Sequence, residues 1–166
     1  MGSSASWWGS RARQFRAHLR ASVASEERAG LEPWITAAQL GLFDSMHVSD
    51  RRHGLDVVAS LRAEGVTESD LLVAGLLHDA GKGDTGVWPR VAYAVGGRYG
   101  RWIWRVAGVN ARCRAAMTRL RTHAETSAVL AARAGCSERT IELIRNQDAP
   151  TDPDFGELLR LADEAN

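Results

Sequence analysis

An all-α fold, a compact irregular bundle of about seven to nine helices, is predicted by three features of the chain. Apolar residues recur at spacings of three and four along most of its length. Capping residues and glycine stops punctuate those runs at helical distances. No alternating polar and apolar run and no Asn-Gly hairpin signal interrupts them.

The elements follow in order. Phe15, Leu19 and Val23 recur every four residues and predict a weakly amphipathic helix in a basic segment. Pro33 breaks the chain, and Leu40, Phe43 and Met46 form the stripe of a second helix. Ser49 or Asp50 is expected to cap a third, running to about Glu64 and stopped by Gly65. Thr67 with Asp70 resembles a capping box for the helix carrying "LLVAGLLHDAGK". Pro89 suits the first turn of a helix that ends at Gly96-Gly97. Thr122 with Glu125 reads as a second capping box, and Gly135 as a second stop. Ser137 caps a helix through Ile141 and Ile144. Asp152-Pro153 opens the last one, with Phe155, Leu158, Leu159 and Ala162 on one face.

The 166 residues suffice for one domain with a real core. Net charge is +1, so overall charge points to no particular partner. Cys113 and Cys136 lack the CxxC spacing of a zinc knuckle and are too few for a disulfide framework. No secretory signal and no apolar stretch of about 18 residues is present, so a cytoplasmic location is expected. The start formally fits a myristoylation pattern, although a flexible polar N-terminus is the plainer reading.

Function is concentrated in "LLVAGLLHDAGKGD", residues 71–84. An apolar helix runs into His78 and Asp79, and then into Lys82, the only lysine beside 20 arginines. A histidine near a helix C-terminus needs no special role, because an imidazolium suits the negative end of the dipole. Asp79 does not fit that account: a carboxylate there faces the helix carbonyls and an apolar wall. A bound cation reverses the sign of both penalties, and divalent metals accept imidazole and carboxylate together. His53 lies on the flank of an apolar helix, one turn before Val57. Asp163 lies one turn after Leu159 on the last helix. Each taken singly reads as a boundary residue. With His78 and Asp79 they supply two nitrogens and two carboxylates from separate helices.

The pattern His53, then His78-Asp79 in "LLHDAGK", then Asp163 in "LADE" resembles the HD-domain superfamily of metal-dependent phosphohydrolases. The resemblance covers residues from about 50 onward. It implies an HD domain over 47–166, with 1–46 as an N-terminal helical extension packed on its core. It implies that His53, His78, Asp79 and Asp163 bind one divalent metal ion: Mn, Fe, Co, Ni or Zn. It further implies a phosphohydrolase acting on a phosphate ester such as a nucleotide. Four protein ligands leave room for a water, which a metal makes a better nucleophile near neutral pH. Asp79 would thereby belong to the catalytic as well as the ligand set.

Lys82 supplies a compact ammonium where this chain otherwise uses arginine. The family often has Gly-Lys after His-Asp, so Lys82 is expected to touch phosphate or a neighbouring carboxylate. Asp84 either orients water or substrate or caps its loop. His123 is read as opening the helix "THAETSAVLAARAG", where free N–H groups hold anions and an imidazole can protonate a leaving group. In related HD proteins a histidine at this point belongs to the active site and can hold a second metal. Members with two metals carry a His-His pair after the next helix, where this chain has Asn146 and Gln147. That departure argues against cyclic-dinucleotide hydrolysis. Other members carry a glutamate three residues after the aspartate, where Lys82 stands, so the general base is not assigned.

From Thr85 to Ala124 there is no acidic residue, but there are eight arginines, with Trp88, Trp102 and Trp104 among them. Most fit a solvated helical face with tryptophans in the core. Arg119 and Arg121, just before His123, are expected to bind an anionic substrate. Arg98, Arg101 and Arg105 suit a surface for anionic lipid or single-stranded nucleic acid. The alternative to an enzyme is therefore a non-catalytic module, in which a metal pins the helices and the basic face binds an anionic ligand, lipid surface or partner.

Overall fold

The computed structural model describes residues 21–83 and 111–166, with the backbone alone at 111–113. The predicted helices at Phe15–Leu19 and Pro89–Gly97, together with Asp84, Arg98, Arg101, Arg105 and the three tryptophans, lie outside the described residues. Seven α-helices are present among those described: α1 Ser25–Ala29, α2 Ala37–Ser45, α3 Val48–Ala63, α4 Ser69–Leu77, α5 Ala111–Arg133, α6 Glu138–Arg145 and α7 Gly156–Ala165. A 3-10 turn, Ala80–Lys82, follows α4. The described residues contain no strand; their regular structure is all helical, in keeping with the all-α class expected. No helix among them is long and apolar enough to cross a membrane.

The core is built around α4. Every residue from Leu71 to Leu77 is buried, because α3, α6 and α7 cover the helix on different sides. Val57, Val58 and Leu61 come from α3, Leu143 and Ile144 from α6, and Leu159 and Ala162 from α7. Leu31, Ile35, Phe43 and Met46 join the same cluster, so residues before 47 share one core with those after it. Fully burying a side chain of this size is worth roughly 1.5–3 kcal/mol. The stripe expected on α7 loses Leu158, which is exposed, while Leu159 and Ala162 face inward.

Two helix ends match the sequence closely. Gly65, at φ +83°, ends α3 with Gly65 N–H donating to Arg62 O and Val66 N–H to Leu61 O. Gly135, at φ +73°, ends α5 in the same way through Ala132 O and Ala131 O. This pair of bonds is the Schellman arrangement, whose left-handed residue favours glycine. Ser137 caps α6 by accepting from Thr140 N–H at 3.1 Å.

Other starts differ from expectation, each because a side chain finds another partner. The cap of α3 is His47, whose Nδ1 accepts from Ser49 N–H; Ser49 and Asp50 are buried within the first turn. Helix α4 begins without a side-chain cap, since Asp70 accepts instead from Ser137 Oγ at 2.6 Å across the fold. Thr122 and Glu125 open no helix. Residues 111–133 contain neither glycine nor proline, and α5 runs through them unbroken. Thr122 Oγ1 donates to Thr118 O, and Glu125 pairs with Arg145. Asp152 accepts from Asp154 and Phe155 N–H in a turn, and α7 starts only at Gly156. Val23 lies in non-helical chain before α1.

Two glycines set the spacing that the site requires. A Cβ on Gly54, next to His53, would lie 2.5 Å from Leu76 O, so α3 and α4 meet backbone to backbone. A Cβ on Gly81 would lie 2.5 Å from His123 O and 2.6 Å from Ser127 N, so the 3-10 turn lies directly on α5.

Candidate metal centre

His53 projects from α3, His78 is the last-turn cap of α4, Asp79 precedes the 3-10 turn and Asp163 lies near the end of α7. These elements bring His53 and Asp163 together across 110 residues of sequence, with His53 Nε2 2.7 Å from Asp163 Oδ1. His78 Nε2 lies 3.4 Å from the same oxygen and 3.5 Å from Asp79 Oδ2. His53 Nε2 is 4.0 Å from Asp79 Oδ2. Donor atoms of His53, His78 and Asp163 all fall within 4.8 Å of one another. The two imidazole rings meet edge to face at 5.2 Å.

Hydrogen bonding fixes what His78 offers. Its Nδ1 lies 2.9 Å from Gly75 O. A carbonyl only accepts, so Nδ1 carries a proton and the neutral ring presents a bare lone pair at Nε2. That Nε2 is buried and makes no hydrogen bond. Two carboxylates, which also only accept, face it. The buried Nε2 is left facing acceptors alone, an arrangement that a cation, either a proton or a metal ion, would satisfy. Two imidazole nitrogens with carboxylate oxygen are a suitable donor set for a divalent transition metal. Without a metal, burial opposes charging of His78, but the Asp79 and Asp163 carboxylates outweigh it and push the ring up to about 9. Burial likewise opposes ionised Asp79. The charges of His78, Lys82, His53 and His123 overcome it and hold Asp79 well below the usual carboxylate range. Burial also opposes ionised Asp163, but its bond to His53 and the neighbouring His78 imidazole hold it below the usual carboxylate range.

Lys82 reaches back from the 3-10 turn and donates its Nζ to Asp79 Oδ2. Burial works against the ammonium, but the adjacent Asp79 charge more than offsets it and raises Lys82 above the ordinary lysine value. The other oxygen, Asp79 Oδ1, is buried without a hydrogen bond. His123 Nε2 lies 3.7 Å from it.

His123 thus lies beside the centre, but not at a helix N-terminus as expected. It sits inside α5, where backbone N–H groups bond along the helix and none is offered to an anion. Its Nδ1 donates to Leu120 O at 2.8 Å, which leaves Nε2 directed to Asp79. Arg119, one turn earlier, places its Cδ 3.9 Å from where a Gly83 Cβ would stand, beside the turn that carries Lys82. Arg121 is exposed and, two residues on, is rotated by about 200° around the helix from Arg119. It borders the opposite edge of the buried face, away from the centre.

Several supporting residues were not legible as such. Gly81 N–H donates to the fully buried Ser127 Oγ at 2.8 Å, fixing the turn on α5. Gln147, expected only as a missing histidine, is buried and donates Nε2 to His78 O at 3.3 Å. Asn146 donates to Thr151 Oγ1 instead of facing the centre. No family model, no curated protein and no solved structure shows significant similarity to this chain.

The Gly81 packing makes a direct prediction. Gly81→Ala forces α5 and the turn apart and is expected to destabilise the protein by about 1–3 kcal/mol, as overpacking does. Urea denaturation measures it; a loss below about 0.5 kcal/mol, the range of ordinary surface changes, would mean that the contact relaxes freely.

Proposed function

We propose that this protein is a metal-dependent hydrolase of the HD type, acting on a phosphate ester such as a nucleotide. The observation that carries the reading is the buried, unbonded Nε2 of His78, aimed between two carboxylates and beside His53. His53, His78 and Asp163 would hold the ion, with Asp79 as a further oxygen donor. A divalent metal there supplies Lewis acidity toward water and a phosphoryl oxygen.

The chain's own groups have distinct tasks in this reading. Lys82 places an ammonium beside the ligand cluster, where phosphoryl charge develops. His123 can hold or release a proton at Nε2, because its Nδ1 is committed to Leu120 O. Arg119 extends positive charge along the rim. Exposure rises from His78 and Asp79, both about 1% by side chain, through His123 and Lys82 to Asp163 at 40%. Substrate would therefore approach over Asp163, and the buried pair would help to hold the ion.

The test is phosphate release from a panel of nucleotides and p-nitrophenyl phosphate. Protein stripped with chelator should be inactive, and added manganese, cobalt or nickel should restore turnover. Absence of hydrolysis with metal retained would favour the non-catalytic reading, in which the ion joins α3, α4 and α7.

A further inference from the structure

Asp79 Oδ2 has two suitors. It accepts from Lys82 Nζ, and it is also the oxygen facing His53 Nε2 at 4.0 Å and His78 Nε2 at 3.5 Å. The lysine is held to this task by the fold. The turn carrying it is fixed through Gly81 N–H to Ser127 Oγ, and Gly81 lies on the α5 backbone with no space for a side chain. Asp50, buried one turn before His53 on α3, adds further negative charge that acts on the same ammonium. The stem of a lysine is flexible, and this one is partly exposed, so Nζ can leave Asp79 while the backbone stays in place.

We infer that Lys82 is a built-in counter-cation, which competes with a divalent metal for Asp79 Oδ2 and yields that oxygen when the metal binds. The inference rests on the metal reading above and concerns the regulation of that same site. Its physical reason is the cost of a buried, uncompensated carboxylate. With Lys82 in place, Asp79 is paired in both states: with the ammonium before metal uptake, and with the ion after it. The consequence is weaker metal affinity than the donor set alone would provide. The displaced ammonium is left beside the centre, free to meet a phosphoryl oxygen.

The experiment uses the full chain, stripped with chelator and titrated with Zn²⁺ and Mn²⁺ against a chromophoric competitor. Lys82→Met and Lys82→Gln are expected to bind each metal about tenfold more tightly or better than the unmodified protein, because a like charge at close range is removed. Equal or weaker affinity in both variants overturns the inference. The unmodified protein gives a second readout that does not depend on variants folding. Since Lys82 is the sole lysine, protein labelled with ¹⁵N-lysine carries a single Nζ signal. That signal should move as Zn²⁺ saturates the site, and should not move in His78→Ala. A signal unchanged at saturation overturns the inference while leaving the metal reading intact. Failure of the unmodified protein and of both variants to take up metal overturns both together.

Discussion

Lys82→Ala is expected to lower turnover by about 100-fold or more while the metal stays bound. A preorganised positive donor aimed at developing charge is worth about 2.7–4 kcal/mol when removed, which converts to a loss of that size. Lys82 is suited to such a role because its partly buried ammonium is already directed at the centre by Asp79. It is not among the His53, His78 and Asp163 donors, so removing it leaves the ligand set complete. The two effects are opposite in sign: the ion is held more tightly and the reaction is slower. Steady-state kinetics at saturating metal, with elemental analysis of the same samples, separates them. Full activity in Lys82→Ala would restrict the lysine to pairing with Asp79.

How much of this was legible follows from the range over which each residue acts. Helix stops that depend on the local backbone, at Gly65 and Gly135, could be read directly, and so could the Ser137 cap. Starts decided by distant partners could not. Asp70 looked like part of a local box but bonds Ser137, 67 residues away. Thr122 and Glu125 had the spacing of a cap, yet α5 has no breaker and continues through them. Their misreading also carried His123 to a helix terminus, although it lies mid-helix with one nitrogen tied to Leu120.

At the centre, residue chemistry was visible, whereas the means of positioning it was not. His53, His78, Asp79 and Asp163 stand out because imidazoles and carboxylates are costly on apolar helix flanks. Gly54, Gly81, Ser127 and Gln147 carry no such mark. Gly81 and Ser127 are 46 residues apart, and Gln147 reaches the His78 carbonyl across 69. Their roles consist of backbone contacts that exist only once the helices are packed.

His78→Ala is the variant with the largest expected consequence. His78 is nearly fully buried, and its bond to Gly75 O commits Nε2 to the centre. Among the described residues neither His123 nor Gln147 is placed to replace it, because His123 Nε2 faces the far oxygen of Asp79 and Gln147 is engaged by the His78 carbonyl. Metal and hydrolysis should both be lost, with folding checked by circular dichroism and His78→Gln as a more conservative companion. The measurement that bears most directly on the centre is metal content per chain, by elemental analysis of protein saturated with a transition metal and freed of excess. The expected result is about one ion per chain in the unmodified protein and near none in His78→Ala, as for a site with few protein ligands. Equal metal content in the two proteins, or none in either, would contradict it.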